Sequence, residues 1–91
     1  MANSQSAKKR IRQNETRRKQ NQRIRTRMRT QIKKFEKAVQ EGDVAQAEEL
    51  FGVAESHLDR AVIKGIIPKK RASRKTSRLA KRLNNLRESA S

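Results

Sequence analysis

Residues 35–51 read FEKAVQEGDVAQAEELF, and the Gly42-Asp43 pair at their centre decides the architecture. On both sides of it the apolar residues recur every three or four positions, the period of a helix with one buried face. Glycine just past a helix end accepts the left-handed backbone of a C-cap, and aspartate is a good N-cap for the helix that follows. Gln46 stands three positions on, in capping-box position, with Glu48 and Glu49 near the positive end of that helix. The same punctuation returns at Gly65, with Pro68 three residues later. These stops predict three helices over about 5–41, 44–64 and 69–87. β-Branched residues are scarce and no alternation of period two appears, so no strand is predicted.

Each predicted helix carries its own apolar stripe. In the first, Ile24, Met28, Ile32, Phe35 and Val39 fall on one narrow face. In the second, Val44, Ala47, Phe51, Ala54, Leu58 and Ala61 continue the pattern, widened by Leu50 and Val62. In the third, Ala72, Leu79, Leu83 and Leu86 line up, with Thr76 filling the gap. Stripes of similar length joined by short turns give an all-α fold, an antiparallel three-helix bundle. Its core is marginal, since burying each larger side chain gains roughly what ordering a residue or two costs.

Residues 5–23 do not share the first stripe. Ala7 and Ile11 are their only apolar members, and Ile11 projects from a different face than Ile24 to Val39. At 100° per residue the lysines and arginines of this stretch point around the whole circumference. The first helix is therefore long and basic and projects beyond the bundle. Its free end is expected to fray in isolation, because like charges repel at i, i+4 and nothing packs on it. The chain is read as one domain, 1–91, with a basic arm at 1–23, the bundle at 24–87 and a tail at 88–91.

The charge follows this division. The chain has 91 residues and a formal net charge of +16. Residues 1–34 contribute 13 bases and one acid, residues 35–67 three bases and seven acids, and residues 68–91 nine bases and one acid. Two basic arms thus flank an acidic centre, so one side of the fold is expected to meet a polyanion. Charged residues make up 37%, apolar ones only 32%, and mean hydropathy is −1.14, close to the border of disorder.

Several chemistries are excluded. The absence of cysteine removes disulfides, thiolate catalysis and zinc-finger sites. No apolar run approaches the roughly 20 residues of a membrane span, and no signal-peptide core follows Met1. Phosphate-loop and dinucleotide fingerprints are missing. His57, the single histidine, lies off the core stripe and is expected at the surface, with no neighbours at metal-ligand spacing. Glu48, Glu49, Glu55 and Asp59 form an arc beside the second stripe and read as a solvated face that turns away from the polyanion. No enzyme, cofactor, metal or small-molecule substrate is expected, nor self-association.

The candidate polyanion contacts fall in two sets. The first comprises Lys8, Lys9, Arg10, Arg12, Arg17, Arg18, Lys19, Arg23, Arg25, Arg27, Arg29, Lys33 and Lys34. Asn14, Gln20 and Asn21, placed among these bases, can reach base edges or 2′-hydroxyls, though each taken alone also reads as an ordinary exposed polar residue. The second comprises Lys69, Lys70, Arg71, Arg74, Lys75, Arg78 and Arg82, with Ser77 leaving room for close approach of a backbone. Arginine suits bidentate phosphate contacts and lysine point-charge ones. No recognition helix or β-ribbon for duplex DNA is visible. Phe35 and Phe51, the only aromatics, belong to core stripes, so base stacking is not the mode. Recognition of folded RNA by phosphates, 2′-hydroxyls and shape remains. A general duplex-DNA packaging protein is the rival reading. A membrane-surface peptide is a weaker one, since the basic arm lacks an apolar face.

An ordered set of short motifs runs through Met1-Ala2-Asn3, Ser6-Ala7-Lys8-Lys9-Arg10, Met28-Arg29-Thr30 and Ile32-Lys33-Lys34. It continues at Gly42-Asp43, Asp59-Arg60-Ala61 and Lys64-Gly65-Ile66-Ile67, then at Ala72, Arg74 and Ser77-Arg78-Leu79. In this set the chain resembles the S-twenty family of bacterial small-subunit ribosomal proteins. The family often has His and then Lys-Asn after the Gly-Ile/Leu-Ile turn, where this chain has Pro68, Lys69 and Lys70. The resemblance implies a three-helix bundle with a long first helix, placed low in the body of the small subunit of a cytoplasmic bacterial ribosome. It implies direct, early binding to small-subunit (16S) ribosomal RNA between its 5′ domain and its penultimate 3′ helix, with other ribosomal components as neighbours.

Overall fold

The computed structural model describes residues 2–90, and the side-chain surroundings of residues 7–90. Met1 and Ser91, which the sequence places in the arm and the tail, lie outside the described residues, as do the side chains of residues 2–6. Three helices follow one another: α1 (Ala2–Glu41), α2 (Val44–Ile63) and α3 (Lys69–Ala90), and no strand occurs among the described residues. α1 starts and α3 ends three residues beyond the boundaries the sequence suggests, whereas the two turns stand where the glycines put them.

Both turns close in the same way. Gly42 has φ +74° and Gly65 φ +72°, a left-handed conformation that costs a glycine little. The Gly42 N–H donates to the Val39 carbonyl at 3.1 Å and the Asp43 N–H to the Ala38 carbonyl at 3.0 Å. Gly65 and Ile66 repeat the pair onto Val62 and Ala61, both at 2.9 Å. These are Schellman closures, in which orphan carbonyls of the last helical turn gain partners. Asp43 then caps α2, its Oδ1 accepting from the Gln46 N–H at 3.1 Å. The reciprocal half of the capping box is not made, because the Asp43 N–H is already committed to Ala38. At the start of α3 the Pro68 carbonyl accepts from the Ala72 N–H at 3.1 Å.

Phe35, Leu58 and Leu79, one from each helix, are the largest fully buried side chains. The Phe35 and Phe51 rings lie 6.0 Å apart at 55°, a tilted aromatic pair. Ala47, Ala54 and Ala61 are all buried at seven-residue spacing, and their small side chains let the neighbouring helices approach α2 closely. α2 packs against both other helices, while α1 and α3 touch each other only slightly. The stripe ends Ile24, Met28, Val39 and Leu86 are half-buried. Ala38, and Ile66 in the second turn, join the buried set although neither belongs to the predicted stripes.

The long α1 dominates the shape. The molecule measures 71 × 22 × 14 Å with a radius of gyration of 18.2 Å. A compact chain of this length would have a radius near 12 Å. Every side chain from Ala7 to Arg23 is exposed, and Ile11, 57% exposed, packs on nothing. Ile24 is the first residue to turn inward. The arm from Ala2 to Arg23 therefore projects by about 33 Å at 1.5 Å per residue.

Candidate nucleic-acid interface

The arm offers a helix that bears charge without internal ties. Lys8, Lys9, Arg10, Arg12, Arg17, Arg18, Lys19 and Arg23 are exposed. Among the described residues none of their side chains hydrogen-bonds or ion-pairs within the chain. Three threonines of α1 turn their hydroxyls back onto its own backbone: Thr16 donates to the Arg12 carbonyl at 2.9 Å, and Thr26 and Thr30 donate to the Gln22 and Thr26 carbonyls at 2.8 Å.

At its root, α1 is tied to the second turn. The Arg25 guanidinium donates to the Ile66 carbonyl at 3.5 Å, so this face of α1 looks toward the beginning of α3. Further along, Arg29 and Lys33 of α1 meet Arg71 and Lys75 of α3 across a groove of about 350 Å³. Met28, Ile32, Leu58 and Ile67 form its floor. The groove exists because α1 and α3 splay apart over α2. Its single acid, Glu36, accepts an ion pair from Arg82 at 3.4 Å. That pair is largely exposed, and its worth to the fold is small. Four cations thus rim an apolar floor with no carboxylate free to neutralise them. Such a groove suits an anionic strand, with phosphates at the rim and apolar sugar faces below.

The structure does not unite all the sequence candidates. Lys34, Lys70, Arg74 and Arg78 are exposed outside this groove. Lys69 and Ser77 lie in a second groove, between α2 and α3, with Ser73, Thr76, Glu55 and Asp59. That side carries acids and hydroxyls, and the remaining cation of α3's last turn, Arg87, is bound by Glu48 at 2.8 Å. The bundle therefore has a basic flank and an acidic flank, and the acidic arc of α2 belongs to the second. Among the described residues no three metal-ligating side chains come together, and no helix is long and apolar enough to cross a membrane.

His57 departs from its expected place at the surface. It is half-buried, with Arg60 of α2 and Arg27 of α1 close enough to act on its charge. Burial first, then the positive charges of Arg60 and Arg27, hold its pKa below the ordinary value of 6.5. The unfolded chain binds this proton more readily than the fold, so stability is full above that value and declines as pH falls through it. The melting temperature is expected to drop between about pH 7.5 and 5.5, and His57→Gln to flatten that slope. Thermal melts of both proteins across this range check it, and parallel slopes would remove His57 as the cause.

The chain is similar to known proteins along nearly its whole length. The family model described as ribosomal protein S20 matches residues 2–84. A small ribosomal subunit protein bS20 from Gluconobacter oxydans is 54% identical over 86 residues, covering 94% of this chain and 97% of the relative. The protein of that name from Alkalilimnicola ehrlichii is 52% identical, covering 94% and 98%. The one from Geobacillus thermodenitrificans is 49% identical over 89 residues, covering 98% and 100%. With likeness of this extent along the arm, both turns and all three helices, the chain belongs to the ribosomal protein S20 family.

Proposed function

We propose that this protein is a structural constituent of the small ribosomal subunit in the bacterial cytoplasm. In this reading it binds small-subunit ribosomal RNA directly and catalyses nothing. The arm (1–23) and the basic flank of the bundle (24–87) clamp RNA from the 5′ domain and from the penultimate 3′ helix. They neutralise the phosphates where those elements approach. The observation that carries the reading is the pair of cation-rich surfaces, arm and α1/α3 groove, fixed on one continuous helix. Burial of Phe35, with Phe51 packed against the core, leaves no aromatic platform for bases. Recognition therefore rests on phosphates, 2′-hydroxyls and shape.

The test is a titration with full-length small-subunit ribosomal RNA at near-physiological salt, with excess duplex DNA and transfer RNA as competitors. Phosphate contacts alone give binding of only about 10⁻⁴–10⁻⁶ M under such conditions. Competitor-resistant binding well below that range is expected. Binding that either competitor strips away would make the protein a general polyanion binder instead.

A further inference from the structure

The arm is basic all round, yet its two sides are not chemically alike. Asn14, Arg18, Asn21, Arg25 and Arg29 recur at spacings of four, three, four and four and so share one face of α1. They line a single shallow strip on the helix surface. Two contacts fix where that strip points. Arg25 reaches the Ile66 carbonyl, and Arg29 opens onto the groove with Arg71 and Lys75. The strip on the arm and the groove on the bundle are thus one continuous surface. On the other side of the rod, Arg12, Lys19, Arg23 and Arg27 present cations and no asparagine, with Gln22 on the border between the two sides.

Nothing in the fold accounts for the two asparagines. Asparagine is a poor helix former in mid-helix. Thr16 returns its hydroxyl to the backbone, but the exposed side chains of Asn14 and Asn21 make no bond within the chain. A side-chain amide offers both a donor and an acceptor, matching the 2′-hydroxyl, which is also both. Arg18 between them and Arg25 and Arg29 beyond are placed for the flanking phosphates.

We infer that this amide–guanidinium strip, continued by the α1/α3 groove, reads one A-form RNA helix across its wide minor groove. The opposite side of the arm, which carries no asparagine, supplies mainly charge. This inference rests on the RNA-binding function proposed above.

The variant N14A/N21A in the full chain tests it. The substitution keeps the charge and raises helix propensity, so lost binding cannot come from a weakened arm. Affinity for small-subunit ribosomal RNA is expected to fall about tenfold. Binding to a DNA duplex, which lacks the hydroxyl, and the salt dependence should both stay as in the parent protein. The partner variant R12A/R23A is expected to weaken RNA and DNA binding together and to make the log–log salt slope shallower by about two. If N14A/N21A binds ribosomal RNA as the parent does, or loses RNA and DNA affinity equally, the strip does not read hydroxyls. If the parent itself fails to hold ribosomal RNA against competitors, the underlying function falls, and this reading with it.

Discussion

A chain beginning at Ile24 is expected to melt within a few degrees of the full protein while binding small-subunit ribosomal RNA about a hundredfold more weakly. The two outcomes have separate causes. No side chain from Ala7 to Arg23 packs on the bundle, so the truncation opens no cavity and exposes no core. The root contact from Arg25 to Ile66 is also retained. Affinity is another matter. Residues 1–23 carry eight bases and one acid, and their removal lowers the net charge from +16 to +9. Each lysine or arginine engaged with a phosphate contributes about 0.9 to the salt slope, so the truncated chain should show a slope shallower by roughly four to seven. Melting followed by circular dichroism and titrations at several salt concentrations measure both. Equal affinity of the two chains would show that the arm does not touch RNA.

The second large effect is on the fold. Phe35→Ala removes a ring that is 0% exposed and stands beside Phe51 and among Ile32, Leu58 and Leu79. Loss of a buried phenylalanine costs about 3–5 kcal/mol, and the aromatic pair adds about 1 kcal/mol. A domain of this size has only about 5–13 kcal/mol in hand. The melting temperature should fall by about 15–30 °C. Phe51→Ala should cost less, because Phe51 is half-buried at the edge of the same cluster. A Phe35→Ala protein melting within a few degrees of the parent would mean that the core does not depend on this ring.

The parts of the fold that depend on local chemistry were legible in the sequence. Gly42, Gly65 and Pro68 mark the helix ends because positive φ and a missing N–H are properties of single residues. Phe35, Leu58 and Leu79 declare their burial by spacing. What spacing leaves open is how three stripes are shared among three helices. It does not say that α2 takes the middle or that α1 and α3 splay. The α1/α3 groove, which joins Arg29 and Lys33 to Arg71 and Lys75, was therefore invisible although all four residues were candidates. Long-range partners hide for the same reason. Arg82 is tied to Glu36, and Ser77 faces the acidic flank. His57 is half-buried, near Arg27 of another helix, which its own phase does not reveal. Ile66 is buried from within a turn, where no period applies.

The unbroken run of α1 from Ala2 to Glu41 has a consequence for cooperativity. A flexible tether would let the arm search for its site, giving the second contact an effective concentration on the order of millimolar. Once its free end is held helical, a rod of about 60 Å that enters the bundle without a hinge does not search. Once the groove has seated, the arm's tip is at one place only. Where the RNA presents its second element there, the local concentration far exceeds that of a tether. Where the element is displaced, the second contact is lost altogether. In the proposed function this stiffness makes the protein a gauge: it holds tightly only to RNA whose two elements already stand at the right distance and angle.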